Sequence, residues 1–265
     1  GALTPDDARE VQRISGLIGS IAPNRPVLDP NPPPQDDEEF ISDPIDDPVE
    51  LIDSRELELG LPDDGGQSKW LLSGRSLFDL SGDNDPSVLD EISHVAMFGS
   101  DQSDSVLLKI NSSGADDLDQ FELLAGDGRD RVRLVGSLTH HVGALDVVIE
   151  GERGSDRLDA RRYDDSVILD GGPGRDLLIG GRSESELWGG AGRDTFQLRP
   201  GGGIQRIRDF DLAEDRLMMK KISAELLILE ELDDDLWLLN GDQPLAVFVD
   251  LAEQHADFTR LLGLD

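Results

Sequence analysis

Aspartates alternate with glycines near the C-terminus at a spacing that suits a hard cation. Residues 171–197 divide into three nonapeptides, GGPGRDLLI, GGRSESELW and GGAGRDTFQ. The first and third fit the pattern G-G-x-G-x-D-x-U-x, in which U is a large apolar residue. The glycines permit turns that bring carbonyl oxygens toward a shared point, and the aspartate adds a charged oxygen. Calcium takes about six to eight such oxygens, so the spacing predicts calcium sites in these turns.

The predicted ligands lie in these loops and in weaker copies of them. The carboxylates of Asp176 and Asp194 are the expected side-chain ligands, and glycine carbonyls complete the shell. The residues assigned to metal binding are Gly171, Gly172, Gly174, Asp176, Gly189, Gly190, Gly192, Asp194, Asp156, Asp209, Asp211, Gly126, Gly128 and Asp130. The copy AGDGRDRVR (125–133) lacks only the first glycine, and whether it holds calcium is left open. Asp209 and Asp211 either close a terminal site or bond to the backbone of their own turn.

The x-U-x half of each nonapeptide predicts a short strand whose U side chain points into a core. Degenerate copies keep Asp at position six and an apolar residue at position eight. They are GSDQSDSVL (99–107), NSSGADDLD (111–119), AGDGRDRVR (125–133), GERGSDRLD (151–159) and ARRYDDSVI (160–168). Short strands at close spacing with turn residues between them are typical of an all-β solenoid.

Composition divides the remaining chain. Residues 1–22 are predicted to form a short amphipathic helix, because their apolar residues fall on one stripe. Residues 23–69 are rich in Pro, Asp and Glu and are predicted to be a disordered acidic linker. A degenerate β-solenoid is expected over 70–150, a calcium β-roll over 151–219 and a C-terminal β cap over 220–265. The predicted fold class is therefore all-β, a parallel β-roll or β-solenoid.

The net charge of the chain limits the kinds of partner that it is expected to bind. It has 57 acidic and 24 basic residues, a formal net charge of −33. Such a chain repels itself when compact, and divalent cations relieve that repulsion. Nucleic-acid binding is not expected, because phosphate contacts need basic residues. No apolar run approaches the roughly 18 residues of a membrane span, and residues 1–22 show no cleavable secretion signal. There is no cysteine, so thiolate metal sites are excluded.

Catalytic motifs are missing from the chain. It contains no H-E-x-x-H, no G-x-S-x-G and no G-x-x-x-x-G-K. The chain is therefore predicted not to be an enzyme.

The segment GGAGRDTFQLRPGGGIQRIRDFDLAEDRLMM (189–219) resembles the end of an RTX (repeats-in-toxin) array, and residues 222–265 resemble the C-terminal cap of that family. The resemblance extends over about residues 70–265 and is most specific in 171–219. It implies a secreted bacterial protein, exported by type I secretion machinery that reads an uncleaved C-terminal signal. It also implies folding after exit, where calcium is abundant.

Two function classes follow from the resemblance. The first is a non-enzymatic, calcium-folded module of a surface or adhesin-like protein, with a cell-surface or matrix partner. The alternative is the export and stabilising module of a secreted hydrolase whose catalytic domain lies elsewhere, or is unrecognised within 70–150.

The family's β-roll uses two nonapeptides per turn, so loops 18 residues apart share a face. Asp176 and Asp194 then share one face, and Asp156 joins them if an insertion of about two residues near Leu169–Asp170 is absorbed. The other face is predicted to align Asp165 with Ser185 and Gln205, which offer no carboxylate. Calcium is therefore expected on one face only.

Overall fold

The computed structural model describes residues 56–61, 67–73, 76–80, 87–89, 92–111, 118–138 and 145–264. The predicted N-terminal helix and most of the predicted linker lie outside these residues. The strands are β1 (Glu56–Gly60), β2 (Gln67–Ser73), β3 (Ser76–Asp79), β4 (Ser87–Val88), β5 (His94–Phe98), β6 (Ser105–Asn111), β7 (Gln120–Leu124), β8 (Arg131–Ser137), β9 (Asp146–Glu150), β10 (Arg157–Tyr163), β11 (Val167–Asp170), β12 (Leu177–Ile179), β13 (Ser185–Trp188), β14 (Thr195–Leu198), β15 (Gln205–Ile207), β16 (Arg216–Met219), β17 (Leu227–Leu232), β18 (Asp235–Asn240) and β19 (Gln243–Phe248). One α-helix, α1, spans His255–Leu262.

The chain winds as a parallel β-solenoid between two sheets. The first sheet has the order β1-β5-β7-β9-β11-β13-β15-β19-β18-β17, and the second has the order β16-β14-β12-β10-β8-β6-β2-β3-β4. From β5 to β16 successive strands alternate between the two sheets, and neighbours within each sheet run parallel. The predicted all-β parallel solenoid is confirmed.

The apolar positions of the strands meet between the sheets. In the second sheet, strand register stacks the inward-facing side chains Val106, Val132, Leu158, Leu178 and Phe196 on one another, and each is at most 2% exposed. These are the U positions of the nonapeptides 171–179 and 189–197 and of the copies 99–107, 125–133 and 151–159. The nonapeptide 180–188 and the copy 160–168 contribute strands to the first sheet. The core is therefore a column of side chains along the solenoid axis, held by burial of apolar area.

The two edges of the solenoid differ in how much the length of their turns varies. The turns from the first sheet to the second all span eleven residues, counted between registered inward positions, until the last turn, Gln205 to Leu217, which spans twelve. The pairs of positions are Val95 and Val106, Phe121 and Val132, Val147 and Leu158, Val167 and Leu178, and Ser185 and Phe196. The turns of the other edge vary from fifteen residues (Val106 to Phe121) to seven (Leu178 to Ser185). We call these the uniform edge and the variable edge.

The structure corrects the register predicted for the copy 160–168. Val167, and not Asp165, is in register with Ser185, which makes Leu169 the buried position-eight residue. The two additional residues lie between Leu158 and Val167, which are nine residues apart where Leu178 and Ser185 are seven apart, and not near Leu169–Asp170. One of them is accommodated where the register of β10 with β8 shifts between Asp159 and Arg162. The physical reason is burial: Val167 and Leu169 both fill the core, whereas the predicted alignment would have turned Asp165 toward it. Asp165 instead accepts a 2.6 Å hydrogen bond from the Leu138 amide.

The predicted linker also ends too late in the sequence, because some of its last residues belong to strands. Residues 56–60 form β1, which pairs with β5, and residues 67–69 belong to β2. In β1 the sequence ELELG alternates charged and apolar residues, and this period of two suits a half-buried strand even where the composition is acidic.

Three strands and a helix close the C-terminal end. β19 continues the first sheet beside β15, and β18 and β17 then add antiparallel. Phe258 of α1 packs on Phe210 and Phe248, with ring centroids 5.4 Å and 4.4 Å away. The helix therefore covers the last layer of the core. None of the described helical segments has the length and apolar composition that crossing a bilayer would require.

Candidate metal centre

A column of aspartates runs along the uniform edge, one from each successive turn. All are buried, and they are Asp104, Asp130, Asp156, Asp176, Asp194 and Asp215. The backbone amide of each of the first five donates a hydrogen bond of 2.6–2.8 Å to Oδ1 of the next aspartate in the column. We call this column the aspartate ladder. Its bonds tie each turn to the next through a carboxylate, which explains why the turns on this edge have nearly constant length.

The second carboxylate oxygen, Oδ2, is hydrogen-bonded at the two ends of the ladder but not in its middle. Oδ2 of Asp104 accepts hydrogen bonds from the amide and hydroxyl of Ser100, at 2.9 and 3.0 Å. Oδ2 of Asp215 accepts one from the Asp211 amide at 2.9 Å. In the four middle aspartates, by contrast, Oδ2 is buried and has no hydrogen-bond partner; these are Asp130, Asp156, Asp176 and Asp194.

Without a nearby positive charge, these four carboxyls ionise less readily than a carboxyl in water. Burial raises the pKa of Asp130 to about 7, of Asp156 to about 6, of Asp176 to about 8 and of Asp194 to about 7. Neighbouring carboxylates raise the pKa further for Asp130, Asp176 and Asp194. A bound cation would stabilise such a carboxyl, because it would contact the buried oxygen that lacks a donor and would favour the ionised form.

Glycines at position one leave a space beside each free oxygen. A Cβ on Gly171 would lie 2.7 Å from the Gly189 carbonyl oxygen and 2.9 Å from Oδ2 of Asp176. A Cβ on Gly151 would lie 2.6 Å from the Gly171 carbonyl oxygen and 3.0 Å from Oδ2 of Asp156. A carboxylate oxygen and a carbonyl oxygen of the following turn therefore converge on a place that only glycine leaves open. This donor set, all oxygen and partly anionic, fits calcium.

The predicted glycines shape the same turns. Gly172 and Gly190 have φ of +79° and +82°, and Glu152, at the equivalent position of a degenerate copy, has φ of +59°. Gly126 and Gly128, with φ of +92° and +146°, give the turn before Asp130 a left-handed path as well. Gly174 and Gly192 stack on the preceding turns, to which they are linked through the bridges Gly154–Gly174 and Gly174–Gly192. The structure thus brings every predicted glycine to the uniform edge.

Asp209 and Asp211 do not join the ladder. Both oxygens of Asp209 accept 2.8 Å hydrogen bonds, from the amides of Gly189 and Gly190. Oδ1 of Asp211 accepts a 2.7 Å bond from the Ala213 amide within its own turn. The place expected for them, one turn beyond Asp194, is taken by Asp215.

Asp215 is the residue that sequence reasoning missed, and a signal for it exists. Asp215, Arg216 and Leu217 repeat the triplet Asp156, Arg157 and Leu158 of an earlier copy. Because the final turn is longer, counting eighteen residues from Asp194 does not lead to Asp215.

Among the residues of the variable edge that the structure describes, there is no such column. Ser185 and Gln205 are in register there with Val167, and none carries a charge. The Ser185 hydroxyl accepts a 2.9 Å bond from the Gly181 amide, and Gln205 Nε2 donates a 2.7 Å bond to the Gly203 carbonyl. The guanidinium of Arg199 donates to the carbonyls of Arg161 and Gly181, at 3.0 and 3.3 Å. On this edge, a positively charged side chain of the protein therefore donates hydrogen bonds to the backbone carbonyls.

Side chains alone would not surround an ion at the ladder. No group of three or more His, Cys, Asp or Glu side chains converges on a common point among the residues that the structure describes. An ion at the ladder must therefore draw much of its coordination from backbone carbonyls, as the glycine turns allow.

The comparison with known families addresses the same segment. The family model of the RTX calcium-binding nonapeptide repeat (4 copies) matches residues 170–202. The chain therefore carries RTX repeats. These repeats form a calcium-binding β-roll module within the longer solenoid. The matched segment contains Asp176 and Asp194, whereas Asp104, Asp130, Asp156 and Asp215 extend the ladder on both sides of it. No curated protein matches the chain.

Proposed function

We propose that this chain is a non-enzymatic secreted module that folds when calcium enters the uniform edge outside the cell. The observation that carries the proposal is the set of four buried Oδ2 atoms without a hydrogen-bond partner, on Asp130, Asp156, Asp176 and Asp194. Calcium would supply the positive charge that these stacked carboxylates lack.

The proposed ligands come from consecutive turns. Asp176 and the Gly189 carbonyl would hold one ion, and Asp156 and the Gly171 carbonyl another. Asp130 and Asp194 offer equivalent free oxygens in their own turns. Asp104, Asp209 and Asp215 are left out of the ligand set, because hydrogen bonds already occupy the oxygens that would face an ion. The variable edge is proposed to bind no calcium.

Coupling to folding follows from where the ligands lie. Asp156 and Asp176 are 20 residues apart and meet only when two turns are stacked. The open chain has no preformed site, so the free energy of calcium binding becomes free energy of folding. Extracellular calcium modules bind with Kd of roughly 10⁻⁴ to 10⁻³ M, which leaves such sites empty at cytosolic calcium levels. This behaviour suits a protein exported unfolded by type I secretion machinery.

For the biological role, we propose a part of a surface or adhesin-like protein with a cell-surface or matrix partner. The support is the long solenoid itself, a rigid spacer without a catalytic constellation in its sequence. The alternative is an export and stabilising module attached to a secreted hydrolase.

Calcium titration of the full chain tests the proposal. Far-UV circular dichroism should report a cooperative gain of β-structure as calcium rises from chelator to several millimolar, and calorimetry should report heat of binding over the same range. Magnesium at the same concentration serves as the control, because it demands a tighter octahedral shell and should not replace calcium.

The register of the sites is tested by matched substitutions on the two edges. Asp194→Ala removes a ladder carboxylate and should raise the calcium midpoint, whereas Ser185→Ala and Asp165→Ala on the variable edge should leave it near that of the unmodified chain. A spectrum that does not respond to calcium contradicts the folding proposal. Equal shifts for Asp194→Ala and Asp165→Ala contradict the one-sided site.

A further inference from the structure

Arginines without partners stand out on this strongly acidic chain. Arg131, Arg133 and Arg175 form no ion pair or side-chain hydrogen bond with any residue that the structure describes, and all three are exposed. The chain has 57 acidic side chains, so exposed arginines would be expected to acquire carboxylate neighbours. Their isolation keeps their donors available for a ligand.

The fold places these arginines on one outward strip. Arg131 and Arg133 lie on the outer side of β8, and Arg131 is in register with Arg157 on the adjacent β10. Neighbouring parallel strands are about 4.8 Å apart, so Arg131 and Arg157 stand one strand spacing apart, whereas the next two strands carry Leu177 and Thr195 at the same position. Arg129 and Arg175 precede the ladder aspartates Asp130 and Asp176 in their turns and extend the strip toward the uniform edge.

A shallow groove of about 850 Å³ follows the strip. Its lining includes Arg129, Arg131, Arg157 and Arg175, together with the apolar Leu177 and Met218 farther along the axis. Three ladder aspartates, Asp130, Asp156 and Asp176, form the side next to the uniform edge. The groove therefore combines spaced guanidinium groups with an apolar floor.

We propose that this groove binds a linear anionic polysaccharide that lies along the solenoid axis. Guanidinium groups donate paired hydrogen bonds to carboxylate or sulfate oxygens. The apolar side chains would contact the faces of sugar rings between the charges. The strip extends along the axis over several turns, from Arg131 on β8 to Arg175 before β12, which suits a linear polymer.

Charge density favours a polysaccharide over the other polyanions. Duplex DNA carries one charge per about 1.7 Å, and an extended array of phosphates would meet the rest of a −33 surface. An anionic membrane presents a plane of charge that would be repelled in the same way. A single thin chain in the groove meets the arginines and avoids most of the surrounding acid.

Calcium should strengthen this binding, and that part of the inference rests on the proposed function. Of the four arginines that line the groove, Arg157 is paired with Asp159 at 2.9 Å, so the other three are balanced by the three ladder aspartates when these are ionised. Calcium at the ladder would offset the aspartates and leave the arginines to dominate. Calcium would thus both fold the solenoid and turn the groove positive.

The test is titration calorimetry of the full chain with a size-defined sulfated dextran oligomer, with neutral dextran as the reference ligand. Sulfate esters are chosen because carboxylated polymers gel with calcium. The double variant Arg131→Ala, Arg175→Ala removes the two unpaired arginines that line the groove and should weaken binding about tenfold or more, and binding should weaken as salt rises. The control is Arg182→Ala, Arg260→Ala, which removes two exposed arginines outside the groove and should have little effect.

Circular dichroism separates this inference from the proposed function. A chain that folds with calcium but does not bind the sulfated dextran, or binds it equally well after either double substitution, overturns the inference alone. Tighter binding to single-stranded DNA or to anionic vesicles also overturns it. Equal affinity in chelator and in calcium overturns the calcium dependence. A chain that fails to fold with calcium overturns the proposed function instead.

Discussion

Asp176→Asn should act in opposite directions on the metal-free and calcium-bound protein. The Asp176 side chain is buried in the regular part of the array, where Oδ1 accepts a 2.7 Å hydrogen bond from the Asp156 amide and Oδ2 has no partner. An amide side chain of the same shape can keep the first bond while removing the charge. We therefore expect a more stable β-roll in chelator and weaker binding of calcium.

The size of the first effect follows from the pKa of Asp176, which burial raises from 3.8 to about 8. Because the folded pKa is raised, the associated stability is complete below pH 3.8 and is lost as pH rises through about 8. About four units at about 1.4 kcal/mol each set an upper limit near 5–6 kcal/mol. Neighbouring carboxyls titrate together with this one, so we expect a gain on the order of 2 kcal/mol at about pH 8.

Because the unmodified chain is proposed to fold only with calcium, this gain is measured in chelator as the fraction of folded chain, by circular dichroism at about pH 5 and about pH 8. The unmodified chain should be more stable at the lower pH, and the variant should show a smaller difference. In calcium the midpoint for folding should rise about tenfold, because one charged ligand is lost. Ser185→Ala is the matched control on the variable edge. A variant that is no more stable in chelator, or whose calcium midpoint is unchanged, would refute the reasoning.

Three further substitutions probe the core, the turns and the variable edge. Leu178→Asp puts a charge into a fully buried column and should abolish the cooperative calcium transition seen by circular dichroism. Gly174→Ala places a Cβ 1.8 Å from the Gly154 carbonyl oxygen, so the turns must separate, and calorimetry should detect weaker calcium binding. Arg199→Ala leaves the carbonyls of the variable edge without their donor and should lower the free energy of unfolding by about 1–3 kcal/mol. Urea unfolding in saturating calcium should show that loss without a change in the number of calcium ions bound, which would distinguish the two edges.

Much of the regular array was predictable because its rules are local. Position eight of each nonapeptide was expected to fill the core, and Leu178, Leu187 and Phe196 are fully buried. The parallel solenoid followed from the same repeats. The degenerate copy 160–168 misled the prediction, since Asp165 and Val167 imitate positions six and eight while Val167 and Leu169 are the residues that face inward. A nonapeptide count cannot detect the two extra residues between Leu158 and Val167, because only strand pairing shows which residues are in register.

The sequence by itself determined that glycine turns and aspartates recur with a strand between them, because such turns need only a few neighbouring residues. It also determined the charge of −33 and the apolar position that each strand buries. Only the tertiary structure decided which aspartates share a column. Stacking brings residues 18 to 26 positions apart within hydrogen-bond distance, and it assigns Asp104 and Asp215 to the ends while leaving Oδ2 free on the four between them. Whether a carboxylate is available to an ion depends on donors from other turns, and those donors exist only once the chain has wound.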